Sequence, residues 1–271
     1  RAQAKVADHL GVRCWHAVIG GSMGGMQVLE WAAMFPERVQ RIAPIATALA
    51  ASSQQIAWSA VGRSALALDP RWRGGDYYDA KPGDGPYAGL AIARAIAQIH
   101  YRSDESFQER FGRALVEKDS IFGLWDRFQV ESYLDYHGEK LVRRFDANSY
   151  LVLNRAMDTH DLARGRISIQ EAVKRITATT ATASISTDSL YPPHQQSEIQ
   201  RFIQEVGGDC SYIEIEDPNG HDGFLLDGRR PFQPVGVNAP EDVLAQAHAV
   251  KALVEVIFLP ASSNRNGSAA D

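Results

Sequence analysis

The pentapeptide Gly20-Gly21-Ser22-Met23-Gly24 constrains this chain more than any other feature. An apolar run, RCWHAVI from Arg13 to Ile19, leads into it. A stretch with apolar residues at helical spacing, MQVLEWAAMFPERV from Met26 to Val39, leads out. G-x-S-x-G alone is a weak pattern. Between a strand and a helix it reads as a nucleophile elbow, a sharp turn that lifts a serine hydroxyl clear of a sheet. Glycines two residues before and two after Ser22 keep side chains out of a turn where backbones nearly touch. The turn also puts the Met23 N–H at a helix N-terminus, where an oxyanion gains from the helix dipole. The competing reading, a phosphate-cradling loop, lacks the lysine of G-x-x-x-x-G-K-[ST].

The surrounding pattern supports the elbow. Residues 1–10 are predicted helical, with Val6 and Leu10 on one face and Gly11 as the stop. Val39–Leu49 returns to strand character. Helix, strand, helix, strand in fifty residues implies an α/β fold with a parallel sheet covered on both faces. From about Ser52 to Arg166 the pattern is mostly helical, broken by loops such as RWRGGDYYDAKPGDGP. That is too long for one crossover, so it reads as a helical insertion capping the C-terminal edge of the sheet. Alternation then resumes: strand Ala178–Ser186, helix His194–Val206, strand Cys210–Glu216 and a last helix Glu241–Phe258. The expected division is core 1–51, helical lid 52–166, core 167–261 and a polar frayed tail 262–271.

A serine on such an elbow needs a base and an acid, in chain order Ser, Asp or Glu, His. Asp188, in ISTDSLYPP, follows the Ala178–Ser186 strand. His221, in DPNGHDGFL, follows the Cys210–Glu216 strand. Among the eight histidines, His9, His16 and His248 lie on or beside ordinary elements. His100, His137 and His160 lie in the insertion, and His194 opens a helix. Asp217 and Glu216 are the chief alternative acids. Both sit too close to His221 to follow an earlier strand.

Composition excludes other classes. The chain has 271 residues with 45% hydrophobic and 23% charged, ordinary for a globular protein. A net charge of −5 argues against nucleic acid as a partner. No apolar run reaches about 18 residues, so no membrane span is expected. Cys14 and Cys210 stand alone, without the spacing a zinc site needs. Two isolated thiols and no apolar leader at the N-terminus make the cytoplasm the expected compartment.

The same residues resemble the homoserine O-acetyltransferase family of the α/β-hydrolase superfamily. The segments that carry the likeness are GGSMGGMQVLEWA, FPERV, GLAIARAIAQIHYRSDE, VESYLDYHGEKLVRRFDANSYLVL, STDSLYPPHQQ and GHDGFLLD, together spanning residues 1–228. The resemblance implies an α/β-hydrolase fold, mostly parallel sheet flanked by helices, with a helical lid that builds a homodimer. It implies Ser22 as nucleophile, Asp188 as acid, His221 as base and Met23 as an oxyanion donor. It also implies that Arg94 and Asp222 bind L-homoserine. The chemistry is reasonable: a guanidinium holds a carboxylate bidentately, and a carboxylate takes an ammonium. Acetyl-CoA would be the cosubstrate, with no tightly bound cofactor and no metal, in a ping-pong step of methionine biosynthesis.

Ser22 stands early for such a fold. The resemblance implies that several sheet strands, on the order of 100 residues with the loop for the second oxyanion donor, belong ahead of Arg1, within a longer chain or on a partner polypeptide. The segment GRRPFQPVGVNAP after Asp227 is longer than the family usually carries. A succinyl donor, a serine acceptor and an esterase remain open, as does a silent subunit that needs a partner chain.

Overall fold

The structure is a computed structural model, and it describes residues 1–81, 83–117 and 121–225. The predicted helix Glu241–Phe258, the tail 262–271 and the segment Gly228–Pro240 lie outside the described residues.

The elements run in chain order as α1 (Ala2–His9), β1 (Val18–Gly21), α2 (Met23–Met34), β2 (Arg41–Ile45), α3 (Ser53–Ala67), α4 (Tyr87–Tyr101), α5 (Asp104–Phe111), α6 (Gln129–Val142), α7 (Ala147–Asp158), α8 (Ile169–Val173), β3 (Thr179–Ile185), α9 (Pro193–Glu205) and β4 (Cys210–Ile215). A 3₁₀ turn over Gly220–Leu225 follows β4. The four strands form one parallel sheet in the order β1-β2-β3-β4. Between β2 and β3 the described elements are all helices, α3 to α8.

Each element predicted within the described residues is present, but the bounds near the elbow differ. The first strand was expected over Arg13–Ile19, yet β1 runs Val18–Gly21 and takes in both glycines. Trp15 makes only an isolated parallel bridge to Val39. The reason is pairing: Gly20 and Gly21 are in register with Pro44 and Ile45. The helix starts at Met23 rather than Met26. Two glycines discourage a helix by propensity, but the turn at Ser22 sets its direction. β2 is shorter than Val39–Leu49 because Ala46 turns to φ 45°, a left-handed value that ends an extended run.

The core lies against α2, α8 and α9. Leu29, Ile42, Val173, Ile199 and Ile203 form one fully buried cluster. β3 is buried along nearly its whole length despite its threonines. Their hydroxyls are satisfied locally: Thr182 Oγ1 donates to the Pro44 carbonyl at 3.0 Å and Thr180 Oγ1 to Ala178 at 3.1 Å. A buried hydroxyl with a partner escapes the desolvation penalty. Pro44 has no N–H for the ladder, and the β2–β3 pairing skips from Ile42 to Ile45 around it.

Side-chain caps fix the helical segment to the sheet. Ser52 and Gln55 form a reciprocal capping box at the start of α3. Gln55 Nε2 also donates to the Leu190 carbonyl at 2.6 Å and to Gln195 Oε1 at 3.1 Å. The first helix of the segment is thereby fastened to the loop that carries Asp188.

Candidate active site

The elbow builds the site. Ser22 sits between β1 and α2 at φ 56°, ψ −123°, a conformation that side chains rarely adopt and that costs roughly 1–3 kcal/mol. Its N–H donates to the Ile45 carbonyl at 2.9 Å, which anchors the strained residue to β2. A Cβ on Gly20 would lie 2.5 Å from the Gly24 carbonyl carbon, so only glycine fits there. The expectation that Gly24 needs the same freedom is not met, since a Cβ there meets nothing within 4 Å. Gly21 and Gly25 are tight as well: a Cβ on Gly21 would collide with the Phe224 ring, and one on Gly25 would come 2.6 Å from Thr47 Cγ2.

Three side chains from distant parts of the chain meet at this turn. Ser22 Oγ lies 2.8 Å from His221 Nε2. His221 Nδ1 lies 2.7 Å from Asp188 Oδ2. The other carboxylate oxygen, Asp188 Oδ1, accepts from the N–H groups of Leu190 at 2.8 Å and Tyr191 at 2.9 Å. Asp188 and His221 are buried. The loop under His221 is held rigidly: Thr187 Oγ1 donates to the Asp217 carbonyl at 2.6 Å and accepts from the Gly220 N–H at 3.0 Å. Asp217, an alternative acid, caps its own turn by accepting from the Asn219 N–H at 2.7 Å.

A cavity of about 450 Å³ opens over Ser22. Met23, at the first position of α2, lines it. The first N–H groups of a helix lack intrahelical acceptors, and the dipole there favours negative charge. Arg94, on α4, lines the cavity too. Its guanidinium carbon sits 5.2 Å from the Tyr101 ring centroid, and no carboxylate of the described residues pairs with it. Asp222 follows His221 directly on the 3₁₀ turn Gly220–Leu225. Its Oδ2 lies 3.3 Å from Arg102 Nε, and burial raises its carboxyl above the usual range against the pull of Arg102, His221 and Arg94.

Some residues of the site had no signal in the sequence. Tyr191 is buried, lines the cavity and stands 5.1 Å from the His221 ring, where burial raises its phenol. The motif Tyr191-Pro192-Pro193 reads only as a turn. Asp158 lines the cavity too, tied to Arg63, which also donates to Asn154 Oδ1 at 2.7 Å. Trp58 and His100 also line the cavity. His160, one of the rival histidines, is committed elsewhere, with Nε2 3.0 Å from the Ala48 carbonyl.

Among the described residues no group of three His, Cys, Asp or Glu side chains could hold a metal ion. No described helix is long and apolar enough to cross a membrane.

Residues 1–227 match the family model of the alpha/beta hydrolase fold. The chain is 51% identical to a homoserine O-acetyltransferase of Thermobifida fusca over 84% of its own length and 59% of that protein. It is 48% identical to a homoserine O-acetyltransferase of Moorella thermoacetica over 84% of its length and 60% of the relative. The chain thus spans about 60% of the length of these curated relatives. Among solved structures it resembles a homoserine O-acetyltransferase of Bacillus anthracis, with TM-score 0.76 and 25% identity over 83% of this chain and 60% of that one. It also resembles an acetylester hydrolase of Corynebacterium glutamicum, with TM-score 0.67 and 25% identity over the same shares.

Proposed function

The chain belongs to the α/β-hydrolase fold family, and from that premise we propose that it is the catalytic part of an acetyl-CoA:L-homoserine O-acetyltransferase. The observation that carries this is the unbroken hydrogen-bonded relay from Asp188 through His221 to Ser22, under a cavity that also presents the guanidinium of Arg94. The relatives at 48–51% identity supply the choice of reaction.

The proposed steps use these groups in turn. His221 Nε2 takes the Ser22 proton while Oγ attacks the thioester carbonyl. The oxyanion forms against the Met23 N–H. Collapse breaks the C–S bond, and the departing thiolate takes the proton from His221, which leaves acetyl-Ser22 and free CoA. Homoserine then enters with its carboxylate on Arg94 and its ammonium toward Asp222. His221 takes the hydroxyl proton, the alkoxide attacks the acetyl carbonyl, and Ser22 leaves with that proton. Asp188 keeps Nδ1 protonated throughout and stabilises the imidazolium.

Two further proposals accompany this one. The segment 52–166 acts as lid and dimer surface, supported by exposed apolar side chains on it such as Val61, Ile92, Tyr136 and Val152. The cytoplasm, where acetyl-CoA is made and used, is the compartment.

Ester hydrolysis is the second reading, favoured by the likeness to the acetylester hydrolase. One experiment separates them. The chain is incubated with acetyl-CoA and weighed intact, expecting a single acetyl group on Ser22 and none in Ser22→Ala. Acetyl-enzyme that then discharges faster to L-homoserine than to water or L-serine supports transfer. Discharge to water alone makes it a hydrolase. Acylation by succinyl-CoA in place of acetyl-CoA would change the donor.

A further inference from the structure

His100 lies six residues along α4 from Arg94 and lines the same cavity. Aromatic rings hold its imidazole, with the centroids of Trp58 and Tyr101 each 5.1 Å away. Its Nδ1 is sealed from solvent and has no hydrogen-bond partner. A neutral imidazole carries one proton, and the nitrogen that keeps it decides what the ring can do. A buried N–H without an acceptor is among the rarest orphans, while an unpaired buried acceptor is tolerated more often. The proton therefore belongs on Nε2, which leaves a buried lone pair on Nδ1 and a donor for whatever enters the cavity. Burial, with the Arg94 guanidinium nearby, pushes the ring down to about 4, so this donor is uncharged near neutral pH.

Resting on the acetyl-transfer reading above, we propose that His100 is an acceptor-recognition residue whose Nε2–H donates to the carboxylate of the amino-acid acceptor, beside the guanidinium of Arg94. The chemistry of the acceptor selects that partner. Its ammonium offers only donors, which an N–H cannot use. Its hydroxyl must give its proton to His221 and its lone pair to the acyl carbon. The acyl oxygen is already turned to the Met23 N–H. The carboxylate oxygens are the acceptors that remain. A neutral N–H adds direction to a charge that Arg94 alone would hold, and it rewards a carboxylate over an amino alcohol that lacks one.

The test measures selectivity. Acetyl-Ser22 enzyme is mixed with sub-saturating L-homoserine or with 3-amino-1-propanol, which keeps the hydroxyl and ammonium but lacks the carboxylate. The ratio of the two second-order rate constants is compared among wild type, His100→Phe and His100→Gln. His100→Phe keeps a ring between Trp58 and Tyr101 and removes the donor, so the ratio should fall about tenfold, as for the loss of one hydrogen bond to a charged group. His100→Gln, with an N–H restored, should lie between the two. A ratio unaltered in His100→Phe overturns the proposal, however the absolute rates move. A wild-type acetyl-enzyme that prefers water to homoserine overturns the transfer reading itself and this proposal with it.

Discussion

Gln55 donates from Nε2 to the Leu190 carbonyl at 2.6 Å and so joins the start of the helical segment to the acid loop. Two residues before Leu190 stands Asp188, whose Oδ1 is fixed by the Leu190 and Tyr191 N–H groups. One buried amide thus holds a helix cap and the register of the acid at once. Gln55→Ala removes the capping-box partner and strands the Leu190 carbonyl. It should cost about 2 kcal/mol of stability, read as a lower urea midpoint at unchanged slope. It should also slow acetylation of Ser22 more than a surface substitution of equal destabilisation does. A midpoint equal to wild type would show that water replaces both bonds.

Asp188→Asn tests the direction of the relay. The oxygen of the substituted amide can keep the two backbone N–H groups, which turns its NH₂ toward His221 Nδ1. That nitrogen must then accept, and the proton moves to Nε2, facing Ser22. A base protonated on the wrong side cannot take the serine proton. The rate of acetyl-enzyme formation should fall by about 10⁴ with the fold intact, the usual cost of the wrong tautomer. A loss under about tenfold would mean that Asp188 is structural.

The elbow glycines make a paired prediction. Gly20→Ala drives a Cβ to 2.5 Å from the Gly24 carbonyl carbon, backbone that cannot yield. It should destabilise by roughly 2 kcal/mol or more, as overpacking does. Gly24→Ala meets nothing within 4 Å and sits in the first turn of α2. It should leave the melting temperature unchanged or raise it slightly, because alanine favours helix over glycine by up to about 1 kcal/mol. Equal losses from the two variants would refute the steric account.

The difference between these glycines marks how far the sequence can be read. G-x-S-x-G names both, because the pattern encodes the turn and not which Cβ collides. Ser22, Asp188 and His221 were legible because each follows a strand, and strand order in a parallel sheet sets where their loops end. Arg94 was singled out only through family likeness, and the structure puts it on the cavity wall. Tyr191, His100 and Asp158 were not legible: the packing of α4 and α7 brings His100 and Asp158 to the cavity and the turn around Asp188 brings Tyr191, and neither leaves a local pattern. The strand bounds near Ser22 were misplaced for a similar reason. Pairing with Pro44 and Ile45 draws two glycines into β1 against their own propensity.

Acid stability gives the last prediction. His100 stands at about 4 in the folded chain, below the ordinary imidazole value near 6.5, chiefly because burial disfavours the charged ring. Burial lowers His160 as well. The unfolded chain therefore binds protons that the folded chain refuses between those two values. Linkage fixes the sign: stability rises with pH where the unfolded state holds more protons. The contribution is complete above about pH 6.5 and is lost as pH falls toward about 4. His100→Phe cannot take up that proton and also removes the unpaired Nδ1. Its urea midpoint should drop less than that of wild type between pH 7.5 and pH 5, two buffer settings that bracket the ordinary histidine range. His160 remains in both proteins, so part of the acid sensitivity persists. An identical drop in the two proteins would place the His100 ring in contact with water and remove burial as the cause.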